Sequence, residues 1–282
     1  MADRPRFGPA GIPLIYVGST ADVPQFLHDE NLSAFEYQAV RGVHITQIMA
    51  EKLGTNAINS DIWITMHGPY FVNLCGNQDV IEKSKVRLIE SLRAASWMGA
   101  HHVVYHPGYY MNRGKVEALN LCIKSTNEII EEAAGLGIKN VLLGPETTGK
   151  PTQLGSLEEI IEICEKVDKV IPTVDWAHLH ARDGGKIKKK EDYLKLIDII
   201  EKRLGREAVE NLHCHFTHIE FSTKGERRHH TLDEKEYGPP FQPLAEIIVE
   251  QGLKPVIISE SPLLDIDSVK MQNMVLKALK KS

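Results

Sequence analysis

The 282-residue sequence predicts an α/β protein, a closed (β/α)₈ barrel of the TIM type formed as one domain over residues 1–282. Three observations lead there. Short apolar runs alternate with long amphipathic segments, as repeated β-α units around a parallel sheet require. There are eight such runs, and eight strand-helix units need about 250 residues. No composition shift, linker or fixed-period repeat divides the chain. An open doubly wound sheet is the alternative arrangement of the same units.

The strand candidates in order are RFG near residue 6, SAFEY (33–37), DIWITM (61–66), HVVYH (102–106), NVLLGPE (140–146), KVIPTVD (169–175), NLHCHF (211–216) and PVIISE (255–260). Between them, DVIEKSKVRLIESLRAASWMGA (79–100), KVEALNLCIKSTNEIIEEAAGLG (115–137) and EDYLKLIDIIEKRLG (191–205) repeat leucine and isoleucine at spacings of three and four. That spacing collects the apolar side chains on one helical face. SLEEII adds a capping box, Ser156 opening a helix with Glu159 three positions on.

Hydrophobic residues at 42% and charged residues at 25% are ordinary for a chain that buries a core. The net charge of −5 excludes a nucleic-acid footprint spread over the whole surface and leaves room for a local basic groove. Cys75, Cys122, Cys164 and Cys214 stand far apart with no C-x-x-C pair. Reduced thiols in a cytosol suit that spacing better than a disulfide framework or a thiolate zinc site. The opening MADRPRFGPAGIP lacks a signal-peptide run, and no stretch approaches the roughly eighteen apolar residues of a membrane helix. The expectation is a soluble, cytoplasmic monomer.

Six consecutive strand candidates end in a histidine or a carboxylate. His67 closes the third, His106 the fourth, Glu146 the fifth and Asp175 the sixth; His215 lies late in the seventh and Glu260 closes the eighth. In a (β/α)₈ barrel the carboxyl ends of the strands converge on one mouth, so these side chains should share one site. Imidazole and carboxylate together are what zinc or manganese takes when thiolates are absent, and a carboxylate can bridge two ions. Three carboxylates gathered without cations would be costly.

Strand alternation puts His213 and His215 on one face of NLHCHF, toward the barrel interior, with Leu212, Cys214 and Phe216 on the other. His215, nearer the carboxyl end, is then the expected ligand and His213 a hydrogen-bonded histidine one layer deeper. His178 follows Asp175 by three and adds a ligand-type residue, whereas His180 reads equally well as solvent-exposed. His101 and His102 begin the fourth strand and belong to the opposite end.

HGPYFVNL (67–74), GAHHVVYHPGYY (99–110), PETTGK (145–150), DWAH (175–178), GERRHH (225–230) and SESP (259–262) together resemble the endonuclease IV (apurinic/apyrimidinic endonuclease) family of the xylose isomerase-like barrels. The resemblance implies one zinc on His67, His106 and Glu146, with Glu146 bridging to a second zinc held with Asp175, His215 and Glu260. Glu146 and Glu260 are the carboxylates it places at the reacting centre. A third zinc would take His178 and an Asp-x-His pair, but Arg227 stands two places before His229, so the carboxylate is missing unless Glu226 reaches in. The segment FTHIEF also departs from the family and leaves His218 as the alternative to His215. The implied reaction is hydrolysis of double-stranded DNA on the 5′ side of abasic sites.

Tyr70 and Asn73 resemble family residues near the substrate, with loop packing as their alternative. Lys186, Lys188, Lys189 and Lys190 in GGKIKKKEDY, with Arg227 and Arg228, are either a solvated charge run or a ridge that contacts phosphates. Two other functions compete. A sugar isomerase or epimerase of the same superfold would need Glu146, Asp175, His215 and Glu260 around one divalent metal and would leave His67, His106, His178 and His229 without a task. A damaged-DNA binder without turnover would follow from the missing third-site carboxylate.

Overall fold

In the computed structural model, which describes residues 2–281, each of the eight apolar runs is a strand. They are β1 (Arg6–Pro9), β2 (Ala34–Gln38), β3 (Trp63–His67), β4 (His102–Tyr105), β5 (Leu142–Pro145), β6 (Thr173–Asp175), β7 (His213–Phe216) and β8 (Val256–Ser259). All neighbours pair in parallel. One arc runs β1-β8-β7-β6 and the other β2-β3-β4-β5. Single bridges close the ring, Ala10 to Glu36 at one seam and Leu143 to Val170 and Glu146 to Thr173 at the other. The chain is a TIM barrel.

The register brings the mouth residues side by side, with Asp175 opposite His215 and Gln38 opposite His67. Alternation sorts the faces. Phe35, Met66, Val103, Tyr105, Cys214 and Phe216 point out into the core between strands and helices, where Phe216 packs edge-on against Phe241 at 4.8 Å. Inside the ring Glu36, Thr65, His102, Thr173, His213 and His215 are all buried, so much of the barrel axis is polar, with Val256 and Ile258 as apolar neighbours.

The helices form where the amphipathic period demands them: α1 (Val23–Asp29), α2 (Gln47–Asn59), α3 (Gln78–Trp97), α4 (Lys115–Gly135), α5 (Leu157–Lys166), α6 (Trp176–Arg182), α7 (Lys190–Leu204), α8 (Arg206–Glu210), α9 (Phe241–Glu250) and α10 (Asp265–Leu279). The capping box is present: the Glu159 N–H donates to Ser156 Oγ at 3.3 Å and the Ser156 N–H to Glu159 Oε2 at 2.9 Å. At the start of α7, Asp192 Oδ2 accepts the N–H groups of Lys188 and Lys189 and offsets cations placed where the helix dipole disfavours them. Among the described residues no helix is long and apolar enough to cross a membrane.

Two features were not anticipated. Helix α6 starts directly after Asp175, which serves as its N-cap: Asp175 Oδ1 accepts the His178 N–H at 2.8 Å. After β7 the chain makes an antiparallel hairpin, His218–Ser222 against Gly225–His230, lying over α6 at the mouth. Its Phe221 packs edge-on on His180 at 5.4 Å, and His180 is buried, not exposed as its sequence context allowed.

Candidate metal centre

Glu146, carried by the residue that follows β5, is fully buried, and its two oxygens face different partners. Oε2 lies 2.9 Å from His106 Nε2 and 3.3 Å from His67 Nε2. Oε1 lies 3.1 Å from His178 Nδ1 and 3.2 Å from His215 Nδ1. At the mouth three groups of donor atoms result, each within 4.8 Å of one another: His67, His106 and Glu146; Glu146, Asp175, His178 and Glu260; and His178, His229 and Glu260; a fourth, Glu36, His213 and His215, lies deeper in the barrel. Such spacings suit ligands about 2.0–2.2 Å from a shared ion.

Backbone carbonyls decide which nitrogen of three rings is free. His67 Nδ1 is 2.8 Å from Gly68 O, His178 Nδ1 2.9 Å from Thr147 O and His229 Nδ1 3.1 Å from Glu260 O. A carbonyl accepts and cannot donate, so each Nδ1 carries a proton, and Nε2 is the nitrogen that can offer a lone pair once a cation displaces any proton of its own. These Nε2 atoms are the ones left to bind a cation.

The electrostatics of the bare site are strained. Burial opposes charge on Glu146, yet His106 and His215 beside it hold its carboxyl well below the usual range. Burial likewise opposes protonation of His67, His178 and His215, but neighbouring carboxylates lift all three above the ordinary imidazole value. Asp175 is pushed up to about 6, first by burial and then by Glu260 and Glu146. Its Oδ2 is enclosed and receives no hydrogen bond. An enclosed oxygen without a donor, among carboxylates and imidazole lone pairs, fits divalent cations, and zinc matches this nitrogen and oxygen set.

The hairpin answers the question raised by Arg227. Residues three apart on a regular strand face opposite ways, yet Glu226 Oε2 lies 3.0 Å from His178 Nε2 while His229 lies beside Glu260. Phe221 pairs with Glu226 and Glu220 with Arg228, which leaves Arg227 as the extra residue of a β-bulge. The bulge resets the alternation and turns Glu226 and His229 to the same side. Arg227 points out to Glu220 Oε1 at 2.8 Å, away from the centre.

The remaining candidates divide. Tyr70 borders the mouth cavity of about 220 Å³, its ring 5.5 Å from that of His67. Asn73 is a loop anchor whose Oδ1 accepts the N–H groups of Cys75 and Tyr109. Lys188 and Lys189 lie on the α6–α7 connection, Lys189 beside Glu191, and Lys190 is paired with Glu250; none lines the mouth cavity. His218 turns its Nδ1 to Glu234 O, which leaves His215 as the seventh-strand member of the cluster. His213 is hydrogen-bonded one layer down, as expected, and its partner is Glu36 Oε2 at 3.2 Å. His101 and His102 line a separate cavity of about 390 Å³ at the opposite end.

Sequence reasoning missed three residues. Lys150, in PETTGK, reaches the mouth with Nζ 3.3 Å from Glu226 Oε1, and Arg182 pins its loop by donating to the carbonyls of Thr148, Lys150 and Gln153. Glu36 sits mid-strand in β2 with 0% exposure. Alternation in SAFEY, with Phe35 and Tyr37 facing out, was the available signal.

A family model described as a xylose isomerase-like TIM barrel matches residues 25–274. An uncharacterized protein of Methanocaldococcus jannaschii is 32% identical over 93% of this chain and 94% of its own length. A Finegoldia magna protein named Probable endonuclease 4 is 27% identical over 74% of this chain and 72% of its own. Of solved structures, endonuclease IV from Thermus thermophilus superposes with a TM-score of 0.71 at 19% identity, over 99% of this chain and 100% of that one. A D-tagatose 3-epimerase-like protein reaches 0.68 at 20% identity, over 98% and 97%. At these identities the structural likeness speaks for the fold.

Proposed function

Because the chain belongs to the xylose isomerase-like TIM barrel family, with endonuclease 4 proteins among its relatives, we propose that it is a zinc-dependent endonuclease that cleaves DNA on the 5′ side of abasic sites as a monomer. The observation that carries this reading is Glu146, whose two oxygens face two separate sets of imidazoles. A bridging carboxylate with donors on both sides has no use in a one-metal site.

In this proposal His67, His106 and Glu146 hold one ion, and Glu146, Asp175, His215 and Glu260 hold a second. His178, His229 and Glu226 hold a third. Zinc so bound supplies Lewis-acid chemistry, lowering the pKa of water and offsetting charge on the phosphate and the leaving oxygen. The protein's own groups do the rest. Glu146 and Glu260 border the space for the phosphate and are the proposed catalytic carboxylates. The carbonyls of Gly68, Thr147 and Glu260 hold three imidazoles in fixed orientation. Tyr70 at the rim would fill space beside the abasic position, and Lys150, with Lys188 and Lys189 farther out, would contact the backbone.

A second reading, a sugar epimerase on one divalent ion such as manganese, has a specific observation behind it. Glu146, Asp175 and Glu260 share one donor group, and His215 Nδ1 lies 3.2 Å from Glu146 and 3.4 Å from Glu260. A DNA binder without turnover loses its motive, because Glu226 replaces the carboxylate that Arg227 lacks. Metal analysis of the purified protein, with cleavage of a duplex containing one abasic analogue, tests the proposal. Two or three zinc equivalents and a product ending in a 3′-hydroxyl are expected. One metal equivalent with ketose epimerisation and no cleavage would overturn it.

A further inference from the structure

We propose that Glu36 is a positioning residue for His215, holding the ring with its proton on Nε2 so that Nδ1 is free toward the metal centre. The proposal rests on the reading of the mouth as a zinc site. His215 turns its outer nitrogen to a carboxylate instead of a backbone carbonyl. Its Nδ1 lies 3.2 Å from Glu146 Oε1 and 3.4 Å from Glu260 Oε1, and its Nε2 lies 3.2 Å from both oxygens of Glu36. Glu36 does for His215 what the carbonyls of Gly68, Thr147 and Glu260 do for His67, His178 and His229, and adds a full negative charge.

The surroundings of Glu36 fix its role as acceptor. Thr65 Oγ1 donates to Oε2 at 2.9 Å and Gln38 Nε2 to Oε1 at 3.0 Å. His213 Nε2 lies 3.2 Å from Oε2, while His213 Nδ1 is buried without a partner. A proton on His213 Nε2 is used by Glu36, whereas one on Nδ1 would be an enclosed donor with no acceptor. Four donor groups therefore converge on an ionised carboxylate that no lysine or arginine neutralises in these contacts. A carboxylate accepting from the outer nitrogen of a ligating histidine fixes the tautomer and raises the basicity of the other nitrogen. The pattern spans the barrel: Glu36 stands on β2, and both histidines stand on β7 opposite it.

Zinc affinity by chelator competition and the His215 tautomer by nitrogen-15 spectra of histidine-labelled protein test this without reference to DNA cleavage. In the zinc-loaded wild type His215 should carry its proton on Nε2. Glu36→Gln, which keeps the shape and removes the charge, should weaken one zinc by about 10- to 100-fold while the zinc on His67 and His106 is retained. A wild-type proton on Nδ1, or unchanged affinity in both Glu36→Gln and Glu36→Leu, would overturn the proposal. Loss of one whole zinc equivalent in both Glu36→Gln and His213→Asn would overturn it too, by making Glu36 and His213 ligands of a cation of their own. Should the variants not fold, the wild-type tautomer decides alone. A protein with these properties that cleaves no DNA would refute the nuclease reading and leave Glu36 in its role.

Discussion

Glu226 and His229 stand three residues apart on one strand and still face the same way, toward His178 and Glu260 respectively. The extra residue that permits this is Arg227. Deleting Arg227 would leave Glu226 two residues before His229, so regular alternation should keep both on the same face and bound zinc at the wild-type stoichiometry, whereas Glu226→Ala should lower it by one equivalent. Arg227→Ala, which removes only an outward side chain, should leave the stoichiometry unchanged. Metal analysis of the three variants checks this, and full zinc content in Glu226→Ala would show that Glu226 holds no ion.

Replacing Glu146 by Gln should weaken both ions that flank it and reduce cleavage by about 100-fold or more, since changes outside the ligands already cost 10- to 100-fold. Single-turnover cleavage and zinc competition on the same preparation measure both effects. Near-normal values would remove Glu146 from the bridging role.

The lysine run now divides. Lys190 is committed to Glu250, whereas the side chains of Lys188 and Lys189 are exposed on the α6–α7 connection. Changing Lys188 and Lys189 together to Ala should reduce the slope of log K against log salt for duplex binding by about 1 to 2, with metal content unaltered. An unaltered slope would return both to a solvated charge run.

Acid should destabilise the metal-free protein from the floor of the barrel. Burial, with His213 adding to it, depresses His101 to about 4, and burial depresses His102 as well. A depressed pKa means that the unfolded chain takes up the proton first. The stability these groups contribute is complete above about 6.5 and is lost as pH falls toward 4. His101→Phe, which keeps a ring on Trp63, should flatten that limb by on the order of 2 kcal/mol. Thermal melts of both proteins across this range check it, and parallel curves would count against the assignment.

The strand ends could be read because each fact was local: alternation placed His67, Glu146 and His215, and the barrel rule brought them together. For Glu36 alternation gives only the inward direction, not what it meets there. A glutamate within a strand acquires its meaning from His213 and His215, which lie 177 and 179 residues away. The orientation of Glu226 was hidden for a different reason. One surplus residue inverts the faces of a strand, and nothing in GERRHH marks which residue is surplus. His180 looked open because the hairpin that covers it had not been recognised.

Glu146, Asp175, Glu226 and Glu260 crowd one opening of a protein whose net charge is already −5, with Lys150 as the cation beside them. A polyanion approaching the bare mouth therefore meets carboxylates that imidazolium groups only offset, and on the nuclease reading two or three divalent ions would make the field at the point of contact positive. On the nuclease reading, metal loading would then govern the rate of encounter as well as the bond-breaking step. In metal-poor conditions the protein would stay away from nucleic acid instead of occupying it unproductively.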